Sequence, residues 1–362
     1  MRLRSFAPSP RSVCAVRQAQ RAATGKRHVM AQQRGRIEII HHTSDVLKGN
    51  ASGDPYERDL YCYLPPGYDS SGKRYPVIYF LAGFTGTGRM MLNQSAFDEA
   101  IDVRLDRLIG SGAMPPAIAV LPDCMTRFGG SQYVNSSATG RYEDYVIDEL
   151  VPLVDAKLRT LPGRDHRGVT GKSSGGYGAF RLAMRHPDVF GALGSHAGDA
   201  YFDYCYFLDF PKFVLGVQKY GGTIESFWER FLELPKKSVA FDALNILAMA
   251  ACYSPNPNAP LGIDVPVDLR TGEVREDVWR RWLDFDPVRM APKCADALRS
   301  MKAIFLDAGL KDEFQLQLGA RILCTRFDDL GVTYTYEEFD DGHMGVVYRY
   351  DRSFVELTKA LA

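Results

Sequence analysis

The segment that most restricts the fold is Gly171-Lys172-Ser173-Ser174-Gly175-Gly176. It stands directly after a short apolar run, Gly168 to Gly171, and directly before a helix-like stretch from Tyr177 to His186. A strand that enters a helix through so few residues needs a sharp turn, and such a turn leaves little room for side chains beside it. Gly171 and Gly175 meet that need, because a Cβ at either position would collide with the neighbouring strand or helix. Gly176, Gly178 and Ala179 let the helix pack closely on a sheet, with its N-terminus toward Ser173, where developing negative charge is favoured. The hexapeptide is therefore G-x-S-x-G in the strand, turn and helix context that the motif requires.

The rest of the chain supplies a sheet for that turn. Runs of apolar, β-branched and aromatic residues recur at Ile37 to Ile40, Leu60 to Leu64, Val77 to Ala82, Ala117 to Leu121, Phe190 to Gly194, Ala303 to Leu306 and Val332 to Phe339. Several are short and continuously apolar, as expected of strands covered on both faces. Between them lie helical patterns, among them Val146, Leu150, Leu153, Val154 and Leu158 with a kink expected at Pro152, then Phe314 to Leu330 and Val346 to Leu361. Strands alternating with helices predict an α/β fold with a mostly parallel central sheet and helices on both faces. The rhythm breaks from 199 to 294, where Tyr201, Phe202, Tyr204, Tyr206, Phe207, Phe210 and Phe213 crowd together before further helix-like segments. The division expected is a core of 37–198 and 295–362 with an insertion at 199–294, which serves as its own small core, as a lid over a site, or as both.

Composition excludes several function classes. Among the 362 residues, 44 Lys and Arg balance 44 Asp and Glu, so no overall field draws the chain to nucleic acid or an anionic bilayer. No run approaches the roughly 20 apolar residues needed to cross a membrane. Seven widely spaced cysteines include no CxxC pair, which argues for reduced thiols and a cytoplasmic setting and against a structural metal. Residues 1–36 carry nine basic side chains and no acid, and a start at Met30 would remove seven of those bases. A transit peptide, a nucleic-acid arm and a misassigned start compete there, and the expectation is a disordered or artefactual leader on a mildly acidic body.

Gly171-Lys172-Ser173 also reads as the tail of a phosphate-binding G-x-x-x-x-G-K-[ST] loop, but that loop needs glycine at 166, where the chain has His166. A reactive serine is the better reading, and it needs a base and an orienting carboxylate in the order Ser, Asp or Glu, His. Of the histidines after Ser173, His186 lies about three turns along the helix and points elsewhere. His196 follows a strand on the same edge and is a candidate pocket residue. His343 follows the last strand through Asp340-Asp341-Gly342 and opens the final helix, which puts it at the carboxyl edge beside Ser173. For the acid, the candidates are Asp307 at the end of the penultimate strand and Asp312 and Glu313 in the following loop; Asp307 and Asp312 both remain open, the latter doubling as a helix N-cap. Two backbone N–H donors should face an oxyanion: Ser174, directly after the serine, and Phe84, in the loop Ala82-Gly83-Phe84-Thr85-Gly86-Thr87-Gly88. A dinucleotide loop is the rival for that segment, but Gly83, Gly86 and Gly88 do not fit G-x-G-x-x-G.

Together these segments resemble the α/β-hydrolase esterase family that contains S-formylglutathione hydrolase, enterochelin and feruloyl esterases and mycolyltransferases. The resemblance rests on Tyr79-Phe80-Leu81-Ala82-Gly83-Phe84, on Gly130-Ser131-Gln132-Tyr133-Val134-Asn135 leading into Tyr142-Glu143-Asp144-Tyr145, on the Ser173 turn, on Gly309-Leu310-Lys311-Asp312 and on Gly342-His343. It implies an α/β-hydrolase fold and carries the acid to Asp312 and the base to His343. The family's usual S-M-G-G is here Ser173-Ser174-Gly175-Gly176, which keeps the backbone donor and alters the pocket.

The resulting expectation is a serine carboxylic-ester hydrolase with no cofactor or metal, acting on a small-molecule ester, with homo-oligomerisation left open. Asp123, Tyr133, His196 and Asp199 follow strands on the same edge and are expected pocket residues, each with an equal claim to a structural hydrogen-bonding role. The aromatic insertion suits an aryl or apolar group. An acyltransferase or lactonase would use the same residues, and a non-catalytic hydrolase-fold binding protein is the alternative of another class.

Overall fold

The computed structural model describes residues 34–362. Of the expected leader, residues 1–33 lie outside the described residues, as do Cys14 and Met30. Among the described residues the central sheet has eight strands: β1 (Arg36–Thr43), β2 (Glu57–Leu64), β3 (Val77–Leu81), β4 (Ile118–Leu121), β5 (Arg167–Lys172), β6 (Ala192–His196), β7 (Ala303–Gly309) and β8 (Thr335–Phe339). Their lateral order is β1-β2-β4-β3-β5-β6-β7-β8. β2 runs antiparallel to both neighbours, and the other pairs are parallel. This is the mostly parallel sheet that the alternation predicts, in the α/β-hydrolase arrangement that the resemblance implies.

Side-chain alternation along each strand feeds two cores. Val77, Tyr79 and Leu81 of β3 pack with Val169, Leu193 and Ile304 under α2 (Val151–Lys157), α3 (Ser174–Arg185) and α8 (Leu316–Leu330). Ile78 and Phe80 point the other way, into a cluster with α1 (Ile101–Gly110) and α9 (Tyr350–Leu361). Burying a residue such as Leu357 of α9 is worth about 1.5–3 kcal/mol, so both faces contribute to holding the sheet. Pro152 lies in the first turn of α2, and the residues before it, Tyr145–Leu150, wind as a π-turn.

The insertion is helical: α4 (Phe210–Lys219), α5 (Ile224–Glu233), α6 (Phe241–Tyr253) and α7 (Glu276–Leu283). Phe202, Tyr206, Phe210 and Phe213 are buried with Trp228, Tyr253 and Trp282 in a third cluster, whereas Tyr204 and Phe207 stay exposed. Phe84, Phe128, Val134, Tyr177 and Leu316 from outside the insertion join the same cluster. Its aromatic residues therefore build a core shared with the α/β body, and they reach Phe84 in the turn after β3.

Several boundaries differ from the sequence expectation; the last strand, for example, starts at Thr335 and not at Val332. The Phe190 to Gly194 run starts its strand at Ala192, because the amides of Val189 and Phe190 are used by the His186 carbonyl that closes α3. Strand β7 continues to Gly309, which puts Asp307 inside the sheet. The final helix starts at Tyr350, so His343 stands in a loop that turns through Gly345 at φ 74° instead of opening the helix.

Candidate active site

Parallel strands β3, β5, β6, β7 and β8 end at one edge, and the loops leaving them meet there. Ser173 leaves β5 with φ 58° and ψ −127°, a strained conformation for a residue with a Cβ, held by its N–H donating to the His196 carbonyl at 2.9 Å. The flanking glycines are required sterically: a Cβ on Gly175 would lie 2.2 Å from the Leu81 carbonyl oxygen, and one on Gly171 would lie 2.6 Å from the same atom. Ser174 then opens α3. The turn after β3 closes over this elbow, since a Cβ on Gly83 would stand 3.7 Å from the Ser173 Cβ. Tyr133 fixes that turn from below by donating its hydroxyl to the Ala82 carbonyl at 2.7 Å.

His343 is buried, and its Nδ1 is 2.8 Å from Asp312 Oδ2. The other Asp312 oxygen, Oδ1, accepts from the Phe314 amide at 2.9 Å, and the Phe314 ring stands edge-on to the imidazole with centroids 4.9 Å apart. Glu313 accepts the His343 backbone N–H at 2.7 Å. The carboxylate, the ring and its backbone are thus fixed from one loop, 312–314. Asp312 makes this local turn several residues before α8, whose own N-cap is Gln315 in the left-handed region.

Ser173, Ser174, Phe84 and His343 line one cavity of about 220 Å³. The insertion contributes Cys205, Tyr206, Phe241 and Asn245 to its walls, and Phe314 and Met344 complete an apolar side. Asp199 is the one expected pocket residue that also lines it. Its Oδ2 accepts from Tyr206 at 2.7 Å and from Gln132 at 3.0 Å. Burial pushes the Asp199 carboxyl above its ordinary range, and those two donors pull it partly back.

The other three expected pocket residues are placed elsewhere. Asp123 sits on a separate surface hollow, 3.2 Å from the Arg58 guanidinium. Tyr133 is buried behind the turn after β3. His196 is sealed inside the sheet layer, with Nδ1 2.7 Å from Asp307 and Nε2 2.7 Å from Ser353. Asp307, the rival acid, is therefore paired with His196 and with Arg349 at 2.8 Å, on the side of the sheet covered by α9. His186 likewise turns away and meets Glu143 at 2.9 Å.

Lys172 also lines the cavity, although in the sequence it stands out only through the rejected phosphate-loop reading. Burial lowers its ammonium below the usual lysine range, while Asp312, Asp199 and Glu313 act in the opposite direction. Tyr206, Phe241, Asn245 and Phe314 were equally unmarked in the sequence beyond the general aromatic crowding. No group of three or more His, Cys, Asp or Glu among the described residues is arranged to hold a metal ion.

Comparison with known proteins agrees with this architecture. A stretch of 138 residues is 35% identical to an esterase of Mycobacterium tuberculosis, covering 38% of this chain and 28% of that protein. Another, of 142 residues, is 27% identical to S-formylglutathione hydrolase of Arabidopsis thaliana and covers 37% and 49% of the two chains. The chain thus spans about half or less of these curated relatives. Among solved structures, a ferulic acid esterase superposes with a TM-score of 0.58 at 20% identity, covering 90% of this chain and 99% of that one. S-formylglutathione hydrolase from Agrobacterium tumefaciens superposes at 0.54 with 17% identity, covering 91% and 97%. Both likenesses show the α/β-hydrolase fold. Residues 55–351 match the family described as "Putative esterase", and the chain belongs to that family.

Proposed function

We propose that the chain is a serine carboxylic-ester hydrolase that works through an acyl-enzyme on Ser173. The observation that carries this reading is the His343 imidazole, tied to buried Asp312 at 2.8 Å, facing the same cavity as a serine on a strained strand-to-helix turn. With its Nδ1 proton held by Asp312, His343 has Nε2 free to take the Ser173 proton as Oγ attacks the ester carbonyl carbon. Asp312 stabilises the imidazolium that forms. The backbone N–H groups of Phe84 and Ser174 receive the oxyanion, each worth about 3 kcal/mol in related chemistry. On collapse, His343 gives its proton to the departing alcohol. Water, deprotonated by the same imidazole, then cleaves the acyl-enzyme and frees the acid.

These steps use only the chain's own residues and ask for no cofactor. The apolar wall of Phe84, Phe241 and Phe314 suits an aryl or alkyl arm. The similar proteins are named ferulic acid esterase and S-formylglutathione hydrolase, which makes small acyl esters and thioesters the substrates to try first. A reducing, cytoplasmic setting fits the six described cysteines, all free, and no described helix is long and apolar enough to cross a membrane. The test is turnover of a short aryl ester by wild type and by Ser173→Ala. The reading expects activity to vanish in the variant while its melting transition is kept, and a folded variant that retains turnover contradicts it.

A further inference from the structure

An ester has two arms, and the cavity that holds Ser173 shares Lys172, the residue before the serine, with a second hollow. The second hollow, about 360 Å³, shares Gly83, Gly86 and Lys172 with the first; Phe80, Met90, Met91 and Ile101 give it an apolar side, and Asn93, Ser95, Asp98 and Glu99 a polar one. Its charges are unevenly matched. Glu99 on the wall is neutralised by Arg107, which donates to it at 2.7 Å, with Arg104 at 3.8 Å. Asp98 is exposed to solvent.

Lys172 is half-buried, and among the described residues its ammonium has no hydrogen bond and no carboxylate within ion-pair distance. The acids that act on it through space are each held by another donor: Asp312 by His343 and the Phe314 amide, Asp199 by Tyr206 and Gln132, Glu313 by the His343 amide. Its cross-strand neighbour His196 is closed off by Asp307 and Ser353. A lysine held partly out of water without a partner is costly, and the strand backbone fixes it one residue from the nucleophile. Burial lowers its pKa, and an anion beside it would restore the charged form.

We propose that Lys172 is a specificity residue that receives a carboxylate carried on one arm of the ester, the arm that occupies the second hollow. This rests on the serine-esterase reading above and names the class of substrate that site prefers: esters with an anionic group on the acyl or the alcohol side.

The test uses two matched pairs of esters, phenyl butyrate with phenyl hemisuccinate, and phenyl acetate with 4-carboxyphenyl acetate. The first pair puts the charge on the acyl arm and the second on the alcohol arm. For each pair the ratio of kcat/KM, anionic over neutral, is measured in wild type, Lys172→Gln, Lys172→Met and Lys172→Arg. Reading each ratio against wild type cancels intrinsic leaving-group differences. The proposal expects the ratio for one pair to fall at least tenfold in K172Q and K172M and to be largely kept in K172R. The pair that responds identifies the arm in the second hollow. Ratios that stay unchanged in both pairs, or losses equal for neutral and anionic members, overturn it. K172R and the melting transitions separate a folding defect from lost recognition. If wild type hydrolyses the neutral esters but both ratios ignore position 172, only this inference fails, whereas turnover by folded Ser173→Ala removes the reading beneath it.

Discussion

Glu143→Gln tests how the helix behind the nucleophile is held. Glu143 lies buried just before the π-turn Tyr145–Leu150 and accepts from Arg185 at 2.6 Å, His186 at 2.9 Å and Arg181 at 3.0 Å, all three at the C-terminal half of α3. Burial alone would raise its carboxyl, but the His186 hydrogen bond and the charges of Arg181 and Arg185 outweigh it and hold the group at about 2, against an ordinary 4.5. A depression of that size corresponds to about 3 kcal/mol of folding stability, at 1.36 kcal/mol per pKa unit. Because the folded value is the lower one, this contribution is complete above pH 4.5 and is lost as pH falls from there toward 2. Denaturant unfolding of wild type and E143Q at pH 7 and at pH 3 measures it. The expected destabilisation is about 3 kcal/mol at pH 7 and less than half of that at pH 3. Equal differences at the two pH values would refute the linkage. They would mean that Glu143 acts through packing and not through its charge.

Two further outcomes follow from the site geometry. Asp312→Asn keeps the shape of the loop but no longer favours the Nδ1 proton or the imidazolium, so kcat should fall by about 10⁴ with a comparatively small change in KM, read by steady-state kinetics on an aryl ester. Gly175→Ala puts a Cβ 2.2 Å from the Leu81 carbonyl oxygen, so backbone must move. The expected result is a loss of about 1–3 kcal/mol in thermal or chemical unfolding, together with lost turnover because the Ser174 N–H shifts. An alanine variant as stable and active as wild type would contradict the packing argument.

Much of this arrangement was legible in the residues because local chemistry and topology agree. The glycines around Ser173 can be read sterically, since only one kind of turn needs both of them. The alternation of Val77, Tyr79 and Leu81 against Ile78 and Phe80 follows from strand periodicity and needs no tertiary information. Choosing Asp312 over Asp307 was different. Strand β7 extends past Leu306 because Ala308 and Gly309 pair with Glu338 and Phe339, and that register cannot be read from hydropathy. Asp307 is consequently pulled into a buried pairing with His196, a contact across 111 positions. The same long-range pairing removed His196 from the pocket. Asn245 gave no local signal and Lys172 only the phosphate-loop one that His166 rules out, because a lysine inside a motif and an asparagine inside a mostly apolar helix acquire meaning only when the cavity is assembled around them.

The central claim is that one hydroxyl, among all the serines of this chain, has been made a nucleophile. Intact-mass measurement after treatment with a fluorophosphonate tests it directly, with peptide mapping to locate the label. The account predicts a single adduct on Ser173, formed by wild type, absent in Ser173→Ala and strongly slowed in folded His343→Ala. Labelling at another residue, or equal labelling of wild type and the Ser173→Ala variant, would contradict it.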